Sequence, residues 1–323
     1  MSTPTSKAPD RLWRALISLE GLSTGDAFGE CFFSFTTDRY HDYLTRREMP
    51  QAEKGSWNYT DDTQMALSIV ETLRRYGAID QDYLAESFAS HYEPARGYGP
   101  NMHDFLRNLR RRRRRKTWRV LAPAQFNGKG SFGNGSAMRV APLGAFFADD
   151  LGLAVAQARL SAEVTHTHTE AIAGAIAVTV ATALACQARE AGARPSCVEL
   201  IDGILPWLPE SEVRDKIVQA REIEPSQPTF TVATILGSGY QVSAQDTVPY
   251  VIWCAGQFLD NFEEALWQTA SGLGDVDTTC AMVGGIVVVY TGIEKIPEMW
   301  LEQREELARW AIEDASVEKP GDA

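Results

Sequence analysis

The spacing of apolar positions along the chain is almost everywhere the spacing of a helix. Leu12, Leu16, Leu19 and Leu22 recur at roughly helical intervals and predict a helix over 11–30. Ala66, Ile69, Val70 and Leu73 fall at i, i+3, i+4 and i+7, so 62–76 reads as an amphipathic helix, ended by Gly77. Further helices are expected over 81–91, 102–119, 151–161, 195–208, 210–223, 245–259, 263–271, 279–290 and 297–314. Over 170–191 the polar face disappears, and the Ala-rich run reads as a central, buried helix. Its charge-free part, 171–186, is shorter than the ~20 residues of a membrane span, so no membrane association is expected.

Stretches 36–57, 94–100 and 123–135 carry no period and read as loops, and 225–243 as a loop or short helix. Strand alternation never persists, and no repeat or Pro/Ser linker divides the chain. The fold class expected is therefore all-α, a single multi-helix domain over 11–314, with flexible ends at 1–10 and 315–323. Gly21, Gly25 and Gly29 line one face of the first helix. Glycine weakens an exposed helix, so three on one face imply that another backbone or a ligand comes very close.

Composition adds limits. Hydrophobic residues make up 44% of the 323, enough for a sizeable core. The net charge of −12 argues against general nucleic-acid binding, which needs basic surface. Arg110 to Arg115 form a local exception that points to every side of a helix, and reads chiefly as a solvated face. Five cysteines without a C-x-x-C pair and a polar N-terminus fit reduced thiols in a cytoplasmic protein.

The candidate chemistry lies in two acidic clusters. Thr60, Asp61 and Asp62 precede the 62–76 helix; Asp275, Asp277 and Thr278 precede the 279–290 helix. Asp61 with Gln64 resembles a capping box, but capping wants one such residue and here there are three. Carboxylate and hydroxyl oxygens suit Mg²⁺, Mn²⁺ or Ca²⁺ better than Zn²⁺. In an extended or turn segment Asp275 and Asp277 project to the same side. Between the clusters, Gly133 and Gly135 let backbone N–H groups form an anion-binding concavity, with Asn134 and Ser136 as polar contacts; a plain turn has the same composition. His166 and His168 form an H-x-H pair, with the capping of their own helix as the simpler role for His166. Arg139 is expected to pair with a carboxylate rather than touch a ligand.

Five stretches in this order carry a resemblance: Gly-Asp-Ala-Phe-Gly at 25–29, Tyr-Thr-Asp-Asp-Thr at 59–63, Gly-Asn-Gly-Ser-Ala-Met-Arg at 133–139, Ser-Ala-Glu-Val-Thr-His at 161–166 and Gly-Asp-Val-Asp-Thr at 274–278. Together they resemble the ADP-ribosylglycohydrolase family over about 11–292. The resemblance implies an all-α fold and two divalent metal ions, Mg²⁺ or Mn²⁺, held by Thr60, Asp61, Asp62, Asp275, Asp277 and Thr278. It implies that Ser131, Gly133, Asn134, Gly135, Ser136 and His166 hold the diphosphate and ribose of ADP-ribose, with Met138 packed among them. The expected partner is the ADP-ribose moiety of a modified protein, nucleic acid or small molecule. The expected reaction is metal-dependent hydrolysis of its N- or O-glycosidic bond, with Asp61 ahead of Asp62 as the base. The alternatives are a non-catalytic ADP-ribose-binding module and a metal-dependent nucleotide phosphohydrolase. One position departs: Phe33 stands where many relatives carry a glutamate, and Glu30, on the same helical face, is the candidate replacement.

Overall fold

The structure, a computed structural model, describes residues 11–49, 52–112 and 116–312. Seventeen α-helices occupy these residues. In chain order they are α1 (Arg11–Cys31), α2 (Thr37–Arg46), α3 (Asp61–Tyr76), α4 (Gln81–Ser90), α5 (Pro100–Arg112) and α6 (Trp118–Gly128). There follow α7 (Ala141–Phe146), α8 (Leu151–Glu163), α9 (Thr169–Ala191), α10 (Cys197–Ile204), α11 (Glu212–Arg221) and α12 (Thr229–Leu236). The last are α13 (Ala244–Gln257), α14 (Phe262–Ala270), α15 (Val276–Thr291), α16 (Glu298–Gln303) and α17 (Arg309–Ile312). Among the described residues the only β pairings are isolated bridges, Trp57 with Arg304 and Gly133 with Ser243.

The core is built on α1, α9 and α15; α15 packs against both of the others, and all three are buried along most of their lengths. The glycine stripe of α1 explains the closest of these contacts. A Cβ at Gly21 would lie 2.4 Å from the Gly284 carbonyl oxygen, at Gly25 2.1 Å from that of Cys280, and at Gly29 2.5 Å from that of Val276. Bare backbone therefore lets α1 and α15 touch, and a methyl group anywhere along the stripe would separate them. The neighbour that the spacing required is thus a backbone and not a ligand. Helix α9 is long and apolar enough to cross a membrane by composition, but 83% of its apolar window is buried within the fold.

Several expected elements differ. The stretch 36–57 contains α2, because Tyr40, Tyr43 and Leu44 form a narrow apolar stripe among charged neighbours and pack against the core. The helix expected over 102–119 is two helices, and the expected loop 123–135 holds the end of α6. That end breaks where Phe126 and Asn127 take left-handed backbone, φ 50° and 58°. Helix α15 begins at Val276, three residues early, and the 297–314 helix is interrupted after Gln303. The five cysteines are free. Arg110 and Arg111 are exposed at the end of α5, as a solvated face requires. Residues 113–115 of the arginine run, and the ends expected to be flexible (1–10 and 315–323), lie outside the described residues.

Candidate functional site

Asp26 organises the site. It lies fully buried on α1, and its carboxylate receives the start of α3. The Thr60 N–H donates to Asp26 Oδ2 at 3.0 Å, the Thr63 N–H to Oδ2 at 3.0 Å, the Thr60 hydroxyl to Oδ1 at 2.9 Å and the Thr63 hydroxyl to Oδ2 at 2.5 Å. The two N–H groups are backbone donors of the kind that a helix N-terminus leaves open. Asp61 and Gln64 do not form the capping box they resemble, because Thr60 occupies the N-cap position and Asp26 completes the cap from another helix. Gln64 Oε1 instead accepts from the Tyr98 hydroxyl at 3.0 Å. Asp61 and Asp62 are thereby left free of capping.

The second cluster arrives by a turn and not by extended chain. Leu273 and Gly274 both have positive φ, 60° and 79°, which places Asp275 at the N-cap of α15 and Asp277 in its first turn. A Cβ at Gly274 would lie 2.2 Å from the Ser238 carbonyl oxygen, so only glycine fits the turn. Asn134 Nδ2 donates to Asp275 Oδ2 at 2.7 Å and ties the glycine loop to this cluster. Thr278 Oγ1 donates to Asp62 Oδ2 at 3.3 Å and joins the two clusters directly.

Asp26, Asp62 and Asp277 each present an oxygen within 4.8 Å of the others. Asp62 Oδ1 and Asp277 Oδ1 are buried without a hydrogen-bond partner. Burial first, then mutual repulsion, drives the carboxyls up: Asp61, Asp62 and Asp277 well above the ordinary range, while Asp26 is raised by burial to about 6 against its hydrogen bonds. Oxygen-only donors, orphaned buried carboxylate oxygens and crowded negative charge fit hard divalent cations. Asp26, Asp62 and Asp277, with Thr60, Asp61, Asp275 and Thr278 around them, are the residues that could hold them.

A cleft of about 460 Å³ opens beside this cluster. Asp61, Asp275, Asp277 and Thr278 line it at the acidic end, and Ser131, Gly133, Asn134, Gly135, Met138 and His166 line it further along. Thr60 and Asp62 lie behind Asp61, both nearly inaccessible. Ser136 is fully buried behind the loop and donates to the Ala171 carbonyl at 2.9 Å, so its hydroxyl braces α9 rather than facing the cleft. Glu30 is half-buried one turn beyond Asp26 and is not on the cleft wall; burial and then Asp26 raise its carboxyl. Phe33 is exposed.

His166 faces the glycine loop. A Cβ at Gly135 would lie 3.0 Å from its Cε1, and one at Gly133 3.3 Å from its Nε2. Its Nδ1 lies 2.7 Å from the Thr165 hydroxyl, whose oxygen already accepts from Arg139 Nη2 at 2.9 Å. The hydroxyl can give its proton to Nδ1 or accept one from it; in the first arrangement Nε2 carries the ring proton as a donor toward the loop. Burial, then Arg139, lower this histidine to about 3, so it is neutral. Arg139 itself is fully buried and, among the described residues, makes no ion pair with a carboxylate, contrary to expectation. It donates to the Ser161 carbonyl and lies 4.6 Å over the Phe88 ring, and burial lowers it to about 9. His168 caps α9, its Nδ1 accepting from the Glu170 N–H at 3.2 Å.

Three cleft features were not singled out from the sequence. Asp26 was visible within Gly-Asp-Ala-Phe-Gly, but nothing local shows that it reaches another helix. Phe126, 40% exposed, and Phe132 stand together at the cleft with ring centroids 5.1 Å apart. The loop 237–243, through Gln241 and Val242, forms part of another wall, which faces the cleft together with Gly97 and the start of α5.

A helical domain with a carboxylate cluster at the end of a nucleotide-sized cleft is the class that these features define. The family model described as ADP-ribosylglycohydrolase matches residues 7–320, and the chain belongs to that family, whose enzymes are glycosidases acting on ADP-ribosyl linkages. ADP-ribosylhydrolase ARH3 of Bos taurus is 31% identical over 279 residues, 76% of this chain and 74% of its own. The human ARH3 protein is 28% identical over 338 residues, 90% of each chain. ADP-ribosylarginine hydrolase Tri1 of Pseudomonas putida is 25% identical over 292 residues, covering 90% of this chain and 74% of its own. A solved ADP-ribosylglycohydrolase-related protein complex shares the fold, with a TM-score of 0.54 at 22% identity over 92% of this chain and 94% of that one.

Proposed function

We propose that this protein is a divalent-metal-dependent hydrolase that cleaves the N- or O-glycosidic bond between ADP-ribose and an acceptor and releases ADP-ribose. The observation that carries the reading is the pair of orphaned buried oxygens on Asp62 and Asp277, at the end of a cleft whose other wall is a glycine loop. Two ions, Mg²⁺ or Mn²⁺, match the oxygen-only donors. When bound, they supply Lewis acidity to oxygens of the ribose and of water.

The chain's own groups divide the remaining work. Gly133 N–H already donates to Ser131 Oγ at 3.2 Å and Asn134 N–H to the Val242 carbonyl at 3.4 Å, so the part of this wall offered to a diphosphate is Gly135 with the His166 ring beside it. Phe126 and Phe132 offer ring faces for a nucleobase. Binding the remote nucleotide in this way positions the scissile bond at the acidic end. Asp61 lies on the cleft wall with a raised carboxyl, and serves as the base that takes a proton from the attacking water.

The test is release of free ADP-ribose from arginine-, serine- and nucleic-acid-linked substrates, with Mg²⁺ and with Mn²⁺. The arginine arm is prompted by the Pseudomonas putida relative's name. At least one linkage should be cleaved, and Asp61→Ala and Asp275→Ala should each lose on the order of 100-fold or more while circular dichroism shows unchanged helicity. Release of AMP or phosphate instead would make the protein a phosphohydrolase. Full turnover by both variants in a chelator would overturn the metal-dependent reading.

A further inference from the structure

Thr165 stands between a buried cation and the ring nitrogen of His166 that faces away from the glycine loop. It lies just past the end of α8, fully buried, and its hydroxyl has two partners and no third among the described residues. Arg139 Nη2 donates to the oxygen at 2.9 Å, and His166 Nδ1 lies 2.7 Å away. A guanidinium only donates, so the Arg139 contact cannot run the other way. Were Nδ1 to carry the imidazole proton, the oxygen would accept from both neighbours. Its own proton would then lack an acceptor in a dry interior, which is unfavourable. Every group is satisfied when the hydroxyl donates to Nδ1, and a neutral imidazole then carries its proton on Nε2.

The cleft needs a donor at Nε2. That atom has no hydrogen-bond partner among the described residues, although the side chain is only 4% exposed. It points at the glycine loop, where a Cβ at Gly133 or Gly135 would lie 3.3 or 3.2 Å from it, and His166 and both glycines line the cleft. A lone pair there would repel an anionic oxygen, whereas an N–H binds one. Arg139 follows in the same segment, four residues beyond Gly135, and its Nε is buried without a hydrogen bond. An incompletely paired buried cation is costly. Its oxygen acceptors are the Ser161 carbonyl and the Thr165 hydroxyl, both on the stretch that leads into His166.

From this geometry, and resting on the hydrolase reading above, we infer that Arg139 and Thr165 are positioning residues for His166. The guanidinium orients the Thr165 hydroxyl, and the hydroxyl holds the imidazole proton on Nε2, where it meets an anionic oxygen of the bound nucleotide. Neither residue is among those that line the cleft.

Two-bond proton–nitrogen NMR spectra of the histidine rings read the tautomer in the metal-free protein, with His166 assigned by the signals lost in His166→Ala. Wild type should show Nδ1 bare and Nε2 protonated; the reverse would overturn the inference. Thr165→Val exchanges the hydroxyl for a methyl and should bring the Nδ1–H form into the spectrum, while Thr165→Ser should keep the wild-type pattern. Arg139→Met should resemble Thr165→Val, and an unchanged spectrum would remove Arg139 from the relay. Where Arg139→Met loses helicity by circular dichroism, the wild-type spectrum and the two Thr165 variants decide alone. Calorimetry with ADP-ribose in Mg²⁺ measures the consequence. Thr165→Val should weaken affinity about 10- to 30-fold, the low end for a hydrogen bond to a charged group, with Thr165→Ser within about twofold of wild type. In a His166→Ala background Thr165→Val should change affinity by less than about twofold, because its effect passes through the ring. An equal loss with and without the ring would overturn the inference. Wild type that shows the tautomer and the affinity pattern but frees no ADP-ribose from any conjugate would sink the hydrolase reading and leave the relay standing.

Discussion

Asp26 gives both carboxylate oxygens to the start of a helix that is not its own. Two opposing energies meet in that residue. Without it, two buried N–H groups of α3 lose their acceptor, at about 1–3 kcal/mol each. Against this, a carboxyl raised from 3.8 to about 6 by burial opposes folding at neutral pH by roughly 3 kcal/mol. The sign follows from the direction: the folded state holds the proton more tightly, so this contribution worsens as pH rises from about 4 to above 6. Asp26→Asn removes the charge and keeps an acceptor at the Oδ2 position for both N–H groups and the Thr63 hydroxyl, while the new amide faces the Thr60 hydroxyl, which can turn to accept from it. Metal-free stability should therefore stay within about 1 kcal/mol of wild type by denaturant unfolding, while turnover falls at least tenfold on the order set by loss of a metal-site group. A destabilisation of several kcal/mol without loss of turnover would show that Asp26 is only a cap.

At the scale of elements, the glycine stripe sets how near α1 and α15 stand, and with it how near Asp26 stands to Asp277. Gly25→Ala would force a methyl against the Cys280 carbonyl and should cost about 1–3 kcal/mol or more, with weaker Mn²⁺ binding in the same titration. Gly152→Ala on α8 is the control. Its added Cβ meets only Asp150 Oδ1, at 3.4 Å, so helix propensity should leave it neutral or slightly stabilising. Equal melting of the two variants would argue against the stripe as the controlling contact.

The same elements show what was legible in the sequence and what was not. Helix α3 and the central α9 stood out by period and composition, because their own residues decide their burial. The glycine stripe announced a close neighbour but could not name α15, at the other end of the chain. Helix α2 was hidden because only three of its residues face the core. The second acidic cluster was legible as chemistry, but the choice between an extended segment and a turn was not, since Leu273 in left-handed backbone carries no local signature. Asp26 and the loop 237–243 were overlooked for one reason: their roles lie wholly in what other segments bring to them.

For the whole molecule, the candidate ligands come from position 26, from 60–62 and from 275–278, so the site joins the first third of the chain to its last. Whatever binds there stabilises only the folded chain. A divalent ion at a hundred times its dissociation constant adds about 2.7 kcal/mol, worth roughly 5 °C in Tm. Differential scanning calorimetry should show that rise with Mg²⁺ or Mn²⁺, its reversal by chelator and its absence in Asp62→Ala. A midpoint indifferent to both ions would remove the metal from the account.

The cap that α1 provides for α3 also constrains the order of folding. The opening turn of α3 lacks the donors' partners until Asp26 is in place, and Asp26 is in place only once α1 lies against α15. The start of that helix is thus completed by tertiary structure, with only the Thr60 hydroxyl on the Asp62 N–H, at 3.4 Å, as a cap of its own. A chain in which the three helices have not met does not hold a looser version of the acidic centre; it holds none.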